Sequence, residues 1–552
     1  MTRTTRTPRT PKTARDLAGD LRAIVGERHV RVAVAERATY AMDGLPTHRR
    51  LPDVVVLPGT REEVIAVIRL LAVHGIPFVP RGAGTGLSGG ALADDGAVLI
   101  VLTRLSRILK VDARNRSAVV EPGVVNARLS AATRPHGLHY APDPSSQSAC
   151  TIGGNVAENA GGPHCLKYGV TANHILSLEV VLATGETVIL GSPSGEPWGP
   201  DLVGLFVGSE GNFGIATRIS VRLTPLPRAV RTLLADFMAL RAAGEGVSAI
   251  IASGIVPAAL EMMDQSCVQA VEDSVYAAGY PRDAAAVLLV EIDGGNADAV
   301  IAETELVTEI LRKSGARSVR SAASEPERER LWQGRKKAFG AMGRLSRDLV
   351  VQDAVVPRSA LPDVLETIAG IAARHRLVVS NVFHAGDGNL HPNISFDATD
   401  EGMRTRVEEA SAEIMAACIA VGGTITGEHG VGLDKLRYMP LIFDAESLGA
   451  MLAVRRVFDP EGRVNPGKVV PVHACREWTR RTDPGRKPGV GPKPDPDGSG
   501  DQGGLGGPGG SGSGDQGGLG GPGGFGSGDQ GGLGGPGGFG DPRAGARGQL
   551  VS

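Results

Sequence analysis

The sequence predicts an α+β protein of more than one domain, and three observations carry that reading. At 552 residues the chain has room for about three domains of ~150 residues, more than one hydrophobic core holds. Between residues 15 and 475, strand-like and helix-like segments alternate. Near residue 228 the alternation changes character, which divides the folded part into 15–227 and 228–475. A basic, Thr-rich arm (1–14) and a low-complexity tail (476–552) flank it, and both are expected to be disordered.

The elements follow in order. PDVVVLP (52–58) is the unbroken apolar run of a buried strand, and REEVIAVIRLLAVHG (61–75) spaces its apolar residues as a helix that stops at Gly75. IPFVP (76–80) reads as the next strand, so the three form a βαβ unit. AVLIVLTRL (97–105), ILKVDARNRSAVVEPG (108–123) and LSLEVVLATGETVIL (176–190) read as strands joined by turns. Beyond 228, VLLVEIDG (287–294), a helix over 297–314 and LVVSNVFHAGDGNLHPNISF (377–396) indicate a separate α+β domain. Residues 401–421 form an amphipathic helix stopped by Gly422-Gly423, and MLAVRRVFDPEGRVNPGK (451–468) ends the fold with a helix and a turn.

Composition narrows the function. Hydrophobic content of 41% and charged content of 21% are globular values, and a net charge of −2 gives no electrostatic case for nucleic acid. Aromatics at 4% are too sparse for base-stacking platforms. Glycine is concentrated in the tail, 30 of the 77 residues from Arg476 onward, where DQGGLGGPGG recurs at Asp501, Asp515 and Asp529. Two residues interrupt every four triplets, so the tail is a linker-like segment and not collagen. Five scattered cysteines (Cys150, Cys165, Cys267, Cys418, Cys475) suit a reducing compartment and offer no iron–sulfur ligand set. The N-terminus lacks the apolar stretch of a signal peptide, and no apolar run approaches 18 residues. A cytoplasmic protein is expected, with peripheral membrane contact left open.

Glycine-rich loops carry the first functional signal. RGAGTGLSGGA (81–91) contains a GxGxxG at Gly84, Gly86 and Gly89, but a strand follows it where a dinucleotide-binding βαβ unit needs a helix. Asp112 lies at the distance of a ribose-binding acid only by a weak coincidence. The loop chemistry survives the loss of the motif, because closely spaced glycines let successive backbone N–H groups approach a pyrophosphate. A purely structural turn is the plainer alternative. PDPSSQSACTIGGNVAENAGGPHCLKYG (142–169) and VGSEGNFGIATRISVRLTP (207–225) are two further such loops, and together the three imply a large phosphate-bearing ligand held mainly by backbone.

A polar constellation is the second signal. VFHAGDGNLHPN places His384 and His391 around an Asp-Gly-Asn turn with Asn393 two residues beyond, and TGEHGVG places Glu428 beside His429. Two imidazoles and a carboxylate can hold a divalent metal with positions open for substrate; hydrogen-bonded loop residues are the plainer alternative. LWQGRKKAF (331–339) offers Arg335, Lys336 and Lys337 as cations for a carboxylate, or as a solvated helix face.

Taken together, PRGAGTGLSGGA, PDPSSQSACTIGGNVAENAGG, GSEGNFGIAT, VFHAGDGNLHPN, GEHGVG and NPGK resemble the FAD-linked D-2-hydroxyacid dehydrogenases of the vanillyl-alcohol-oxidase fold. Within that family the FAD-bearing subunits of bacterial glycolate oxidases match best and D-lactate dehydrogenases next. The resemblance covers about residues 15–475. It implies a two-part FAD-binding domain (15–227) and a substrate or cap domain with a C-terminal return segment (228–475). Arg81, Gly82, Ala83, Gly84, Thr85, Gly86, Leu87, Ser88, Gly89 and Gly90 would surround the pyrophosphate. Pro142, Asp143, Ser148, Thr151, Gly153, Gly154, Asn155, Asn159, Gly161 and Gly162, with Glu210, Gly214 and Ile215, would hold the isoalloxazine and adenine ends, and Asn465 of the NPGK motif joins them. No His stands in the 81–91 loop, which favours noncovalent FAD.

The resemblance further implies His384, His391 and Glu428 as ligands of a divalent metal such as zinc or manganese. His429 would be the base for the substrate hydroxyl, with flavin N5 accepting hydride, and Arg335 would bind the substrate carboxylate. One departure matters: relatives acting on 2-hydroxyglutarate carry Lys where this chain has Val351, which favours a small monocarboxylate, glycolate or D-lactate. Electrons would pass to a quinone, a cytochrome, or a partner iron–sulfur or second flavin subunit. A noncatalytic flavin-carrying subunit and a non-redox lyase or synthase are the competing readings.

Overall fold

The computed structural model describes residues 12–45, 47–195 and 199–471. Residues 1–11 of the arm, the glycine-rich tail and Cys475 lie outside the described residues. Ala14 is already buried in the first core.

The first sheet grows around a well-capped helix. Its elements are β1 (Val30–Arg31), β2 (Val54–Val56), α1 (Arg61–His74), β3 (Phe78–Arg81) and β4 (Val98–Val101). The Thr60 hydroxyl accepts the Glu63 N–H at 3.1 Å, a cap that contributes about 1 kcal/mol, and Gly75 closes the helix with φ +67°. Between them Val64, Val67, Ile68 and Leu71 form one buried stripe, each contributing about 1.5–3 kcal/mol. The βαβ unit is not a simple one. β4 lies between β2 and β3 and is parallel to both, Val98 standing opposite Val54 on one side and Phe78 on the other. No helix intervenes between β3 and β4, so the glycine loop spans the gap unsupported by a Rossmann helix.

The second sheet is antiparallel, in the order β5-β6-β9-β7-β8. It comprises β5 (Ile108–Asp112), β6 (Ser117–Val120), β7 (Ile175–Val181), β8 (Thr187–Gly191) and β9 (Ile215–Arg222). Asp112 accepts the Asn115 N–H in the β5–β6 turn, a hairpin role that leaves nothing of the ribose-acid coincidence. A short helix, α2 (Ile152–Glu158), carries the second glycine loop.

From Ala229 onward the strands enter a third sheet. In chain order the elements are β10 (Ala229–Phe237), α3 (Leu240–Ala252), β11 (Ala259–Asp264), β12 (Ala286–Gly294), α4 (Ala297–Lys313), β13 (Ser318–Ser321), α5 (Glu325–Met342), β14 (Asp348–Val351), β15 (Ala354–Val355), α6 (Leu361–His375), β16 (Val378–His384), β17 (Asn389–Leu390), β18 (Pro392–Phe396), α7 (Glu401–Ala420) and α8 (Ala445–Phe458). The strands run β13-β10-β12-β11-β16-β17-β15, and β18 pairs with both β14 and β16. Helices α3, α4, α6 and α7 pack one core, while Leu331, Trp332 and Ala338 of α5 belong to another. Apolar cover on both faces explains why β12 opens on five consecutive apolar residues, Ala286–Val290.

After α8 the chain returns to the first sheet. Phe78 donates its N–H to the Arg463 carbonyl at 2.9 Å, and Asn465 donates to Phe78 at 2.8 Å. That return sets the NPGK turn behind the glycine loop. Among the described residues no helix is long and apolar enough to cross a membrane.

Candidate active site

One cavity of about 750 Å³ joins the three glycine loops to the polar constellation. Arg81, Gly82, Ala83, Gly84, Thr85, Gly86, Leu87 and Gly90 line it. Gly84 has φ +73°, and a Cβ there would overlap the Arg81 guanidinium, which itself donates to the Met42 carbonyl at 2.7 Å. Arg81 therefore fixes the loop from behind. Ser88 and Gly89 are off the lining and hold the loop to a distant turn: the Ser88 carbonyl accepts from the N–H groups of Leu433 (2.9 Å) and Asp434 (3.1 Å).

The second loop contributes Thr151, Gly153, Gly154, Asn155 and Gly161. A Cβ on Gly153 would come within 2.6 Å of Pro122, so the backbone packs where no side chain fits. Pro142, Asp143, Asn159 and Gly162 build this loop without lining the cavity. The Pro142 carbonyl accepts from Asn126, Asn159 caps α2 at φ +52°, and Gly162 abuts the Asp143 carbonyl. Asp143 pairs with His164 at 2.9 Å and Lys336 at 3.0 Å. Ser148 is exposed and is not brought to the cavity. Glu210, Gly214 and Ile215 of the third loop line the wall, and buried Asn465 donates to the carbonyls of Gly90 (3.0 Å) and Glu210 (2.8 Å). Glycines packed on protein (Gly84, Gly153) beside one open to the cavity (Gly86) fit a large ligand gripped by backbone, as FAD requires.

At the other end of the cavity the third sheet delivers the polar side chains. β16 ends on His384, and the turn to β17 and β18 brings His391 back beside it, ring centres 5.3 Å apart and nearly perpendicular. One oxygen of Glu428 lies 3.3 Å from Nε2 of His384 and 3.3 Å from Nε2 of His391. The three predicted ligands thus converge, and His391 Nε2 has no hydrogen-bond partner. Two imidazole nitrogens and a carboxylate oxygen facing a cavity suit a divalent ion of borderline softness. His429 stacks on His391 at 4.8 Å with its ring 3° from parallel.

Two buried carboxylates absent from the sequence reading organise this group. Asp353 accepts from the Thr426 hydroxyl (2.6 Å), the N–H groups of Gly427 and His429 (3.0 Å each) and Lys435 Nζ (3.0 Å). The loop that carries Glu428 and His429 is wrapped around that carboxylate. With His391 and His429, Asp353 forms a second donor cluster, but Lys435 and the loop already use its oxygens. The other carboxylate, Glu261 on β11, meets His384 Nδ1 at 2.8 Å and forms an ion pair with Arg335. Arg335, on α5, is 5% exposed and lines the cavity beside Lys336 and Lys337, with its Nε unpartnered. Asn393 also lines the cavity and donates to the His391 carbonyl at 2.6 Å. The available signal for Glu261 and Asp353 is an acid flanked by apolar residues, as in ALEMM and DAVV.

The electrostatics separate the three imidazoles. Burial lowers His429 to about 4, with His391 acting in the same direction, so it stays neutral at physiological pH. Burial opposes charge on His384, yet Glu261 and Glu428 overcome it and hold the imidazole well above its ordinary value. Glu428 is held well below the carboxylate range despite burial, chiefly by His384 and His391.

Comparison with known proteins agrees with the geometry. Residues 52–191 match the family "FAD binding domain", and residues 226–469 match "FAD linked oxidases, C-terminal domain". The chain is 49% identical over 440 residues to the glycolate oxidase subunit GlcD of Escherichia coli (strain K12), covering 80% of this chain and 88% of that one. It is 34% identical over 430 residues to a D-lactate dehydrogenase of Anaerostipes hadrus, 76% and 89% of the two chains. The structure of p-cresol methylhydroxylase superposes with a TM-score of 0.71 at 18% identity, covering 82% of this chain and 95% of that one, a likeness of fold. The chain belongs to the FAD-linked oxidases of the vanillyl-alcohol-oxidase fold, with FAD as its cofactor.

Proposed function

We propose that the protein oxidises a small D-2-hydroxy acid, glycolate or D-lactate, to the 2-oxo acid. The observation that carries this reading is His429 stacked on His391 beside Glu428, in one cavity with Arg335 and the glycine cradle. Arg335 and Lys336 would hold the substrate carboxylate, the guanidinium keeping donors free beyond its pair with Glu261. His429 would take the hydroxyl proton, which needs a neutral imidazole at working pH. A divalent ion on His384, His391 and Glu428 would supply charge stabilisation for the hydroxyl oxygen. FAD, bound noncovalently along the glycine loops, would supply the acceptor for the C2 hydrogen and its electron pair.

Val351 and Val382 line the cavity, so these two positions offer no cation for a second carboxylate. That supports a monocarboxylate over a 2-hydroxy dicarboxylate. A noncatalytic flavin carrier would have no use for a neutral base and a buried guanidinium in one cavity. The domain boundaries read from the sequence, 15–227 and 228–475, fit the change of sheet between Arg222 and Ala229. The GlcD relative is named a subunit, which supports a partner chain; that the partner accepts electrons, and that the protein is cytoplasmic or peripheral to a membrane, belong to the proposal. Dye reduction against glycolate, D-lactate, L-lactate and 2-hydroxyglutarate tests the proposal. Turnover on the first two identifies the substrate class, and turnover on none of them overturns it.

A further inference from the structure

Glu158 is an anomaly in a cavity built for a phosphate-bearing ligand. It ends α2, lines the cavity, and forms no hydrogen bond that would neutralise or orient it; its buried Oε2 is unpartnered. The carboxyl group overlooks three glycines. A Cβ placed on Gly430 would meet Glu158 Oε2 at 2.7 Å, one on Gly90 would meet Oε1 at 3.5 Å, and one on Gly86 at 4.0 Å. It therefore stands where the cofactor loop and the loop following His429 come together.

A second carboxyl group shares that place. The same hypothetical Cβ on Gly430 lies 2.8 Å from Glu210 Oε1, and the one on Gly90 lies 3.6 Å from Glu210 Oε2. Two neighbouring carboxyl groups, Glu210 buried and Glu158 with its Oε2 buried, cannot both ionise cheaply, so one keeps a proton. The hydrogen bonds decide which. Glu210 accepts the N–H of Val431 with one oxygen and that of Gly432 with the other, each at 2.7 Å, the pattern of an acceptor-only carboxylate. Glu158 has no such donors. The charged groups facing it are Glu210, Asp43 and Lys435, and Lys435 is already paired with Asp353 at 3.0 Å. Burial, then Glu210, then Asp43 push the Glu158 carboxyl well above its ordinary range.

We infer that Glu158 is a protonated carboxylic acid that donates its O–H to bound FAD, so that FAD retention depends on this proton. The inference rests on the reading that FAD occupies the glycine-lined cavity. Two negative carboxylates beside a pyrophosphate-bearing ligand would repel it. One carboxylate tied down by backbone N–H groups, with a neutral acid next to it, offers a donor instead. As pH rises and Glu158 loses its proton, the donor disappears and a charge of the wrong sign replaces it. FAD release should then accelerate.

The test follows FAD release from the holoenzyme after dilution, read by flavin fluorescence from pH 6 to 10, with circular dichroism confirming the fold. Glu158→Gln keeps a donor and cannot ionise. It should release FAD at the wild-type rate near neutrality and lack the alkaline acceleration. Glu158→Ala should release FAD about five- to tenfold faster at neutral pH, the worth of one hydrogen bond. Gly86→Val is the control for the cavity, since its side chain would project into open space beside Glu158. Fast release from Gly86→Val with wild-type behaviour of both Glu158 variants overturns the Glu158 assignment alone. Unchanged release from all three overturns the placement of FAD as well. If Glu158→Gln releases FAD as fast as Glu158→Ala, the residue acts as an ionised acceptor and the inference is wrong.

Discussion

Glu261 stands directly opposite His384 across the β11–β16 pair, and its carboxylate meets the imidazole Nδ1 at 2.8 Å. The same fully buried carboxyl group forms the ion pair with Arg335. One acid thus fixes a proposed metal ligand and the proposed substrate anchor together. Its contact with Nδ1 turns Nε2 toward Glu428, the orientation a ligating His takes from a carboxylate behind it.

Glu261→Gln should therefore disturb two functions through one position. Metal affinity is expected to fall about 10–100-fold, and KM for the hydroxy acid should rise as Arg335 loses its partner. Glu261→Asp should recover part of both. Elemental content and steady-state kinetics measured on the same preparations give the answer. Unchanged metal content with unchanged KM would show that Glu261 only fills the sheet.

His429→Ala should lose about 10²–10⁴ in kcat, the usual cost of a general base, while retaining its FAD. The glycine loops proposed to grip the cofactor are built from other residues, so absorbance at flavin wavelengths should match wild type. Near-normal turnover in the flavin-loaded variant would remove His429 from the base role.

Local elements were legible because their causes are local. The helix over Arg61–His74 follows from Thr60, an apolar stripe and Gly75, and the loop after β3 betrays itself by the strand that follows. The turn between His384 and His391 offers their convergence from the residues alone, whereas Glu428, 44 residues from His384, is joined to them firmly only by the motif resemblance. Glu261 was invisible for a related reason: it meets its partner across a 123-residue separation set by sheet register. Insertion of β4 between β2 and β3 is likewise a choice of strand order that each strand's own pattern leaves open. A loop rich in small polar residues does not reveal which of them faces inward, and Ser148 faces out.

His164 makes stability depend on alkaline pH. Burial opposes its charge, but Asp143 at 2.9 Å and Glu291 at 3.3 Å raise it to about 10. Against an unfolded value of ~6.5, its stabilisation is complete below about pH 6.5 and is lost as pH rises through about 10. His164→Gln should lower Tm most near pH 6, and the gap to wild type should close toward pH 10. Melting curves that stay parallel across that range would contradict the assignment.

The metal reading predicts that chelation lowers turnover with FAD content constant, and that zinc or manganese restores it. His391→Ala should match the chelated enzyme and gain nothing from added metal. Well under one equivalent of metal in active protein, together with full activity after chelation, would leave His384 and His391 as hydrogen-bonding residues around the substrate.

Substrate size turns on Val351. It ends β14 opposite Asn393 and faces the cavity that Arg335, His391 and His429 share. Val351→Lys would place a flexible cation among those groups, where it could reach a second carboxylate on a longer acid. The same charge also adds to Arg335 and Lys336, so the monocarboxylate gains an alternative place to bind and loses its single productive orientation. The expected outcome is a fall in kcat/KM for glycolate or D-lactate and new turnover of a 2-hydroxy dicarboxylate. Comparing kcat/KM for both acids in wild type and variant checks it. If the dicarboxylate remains inert while the monocarboxylate is unaffected, Val351 does not line the part of the cavity where the substrate extends.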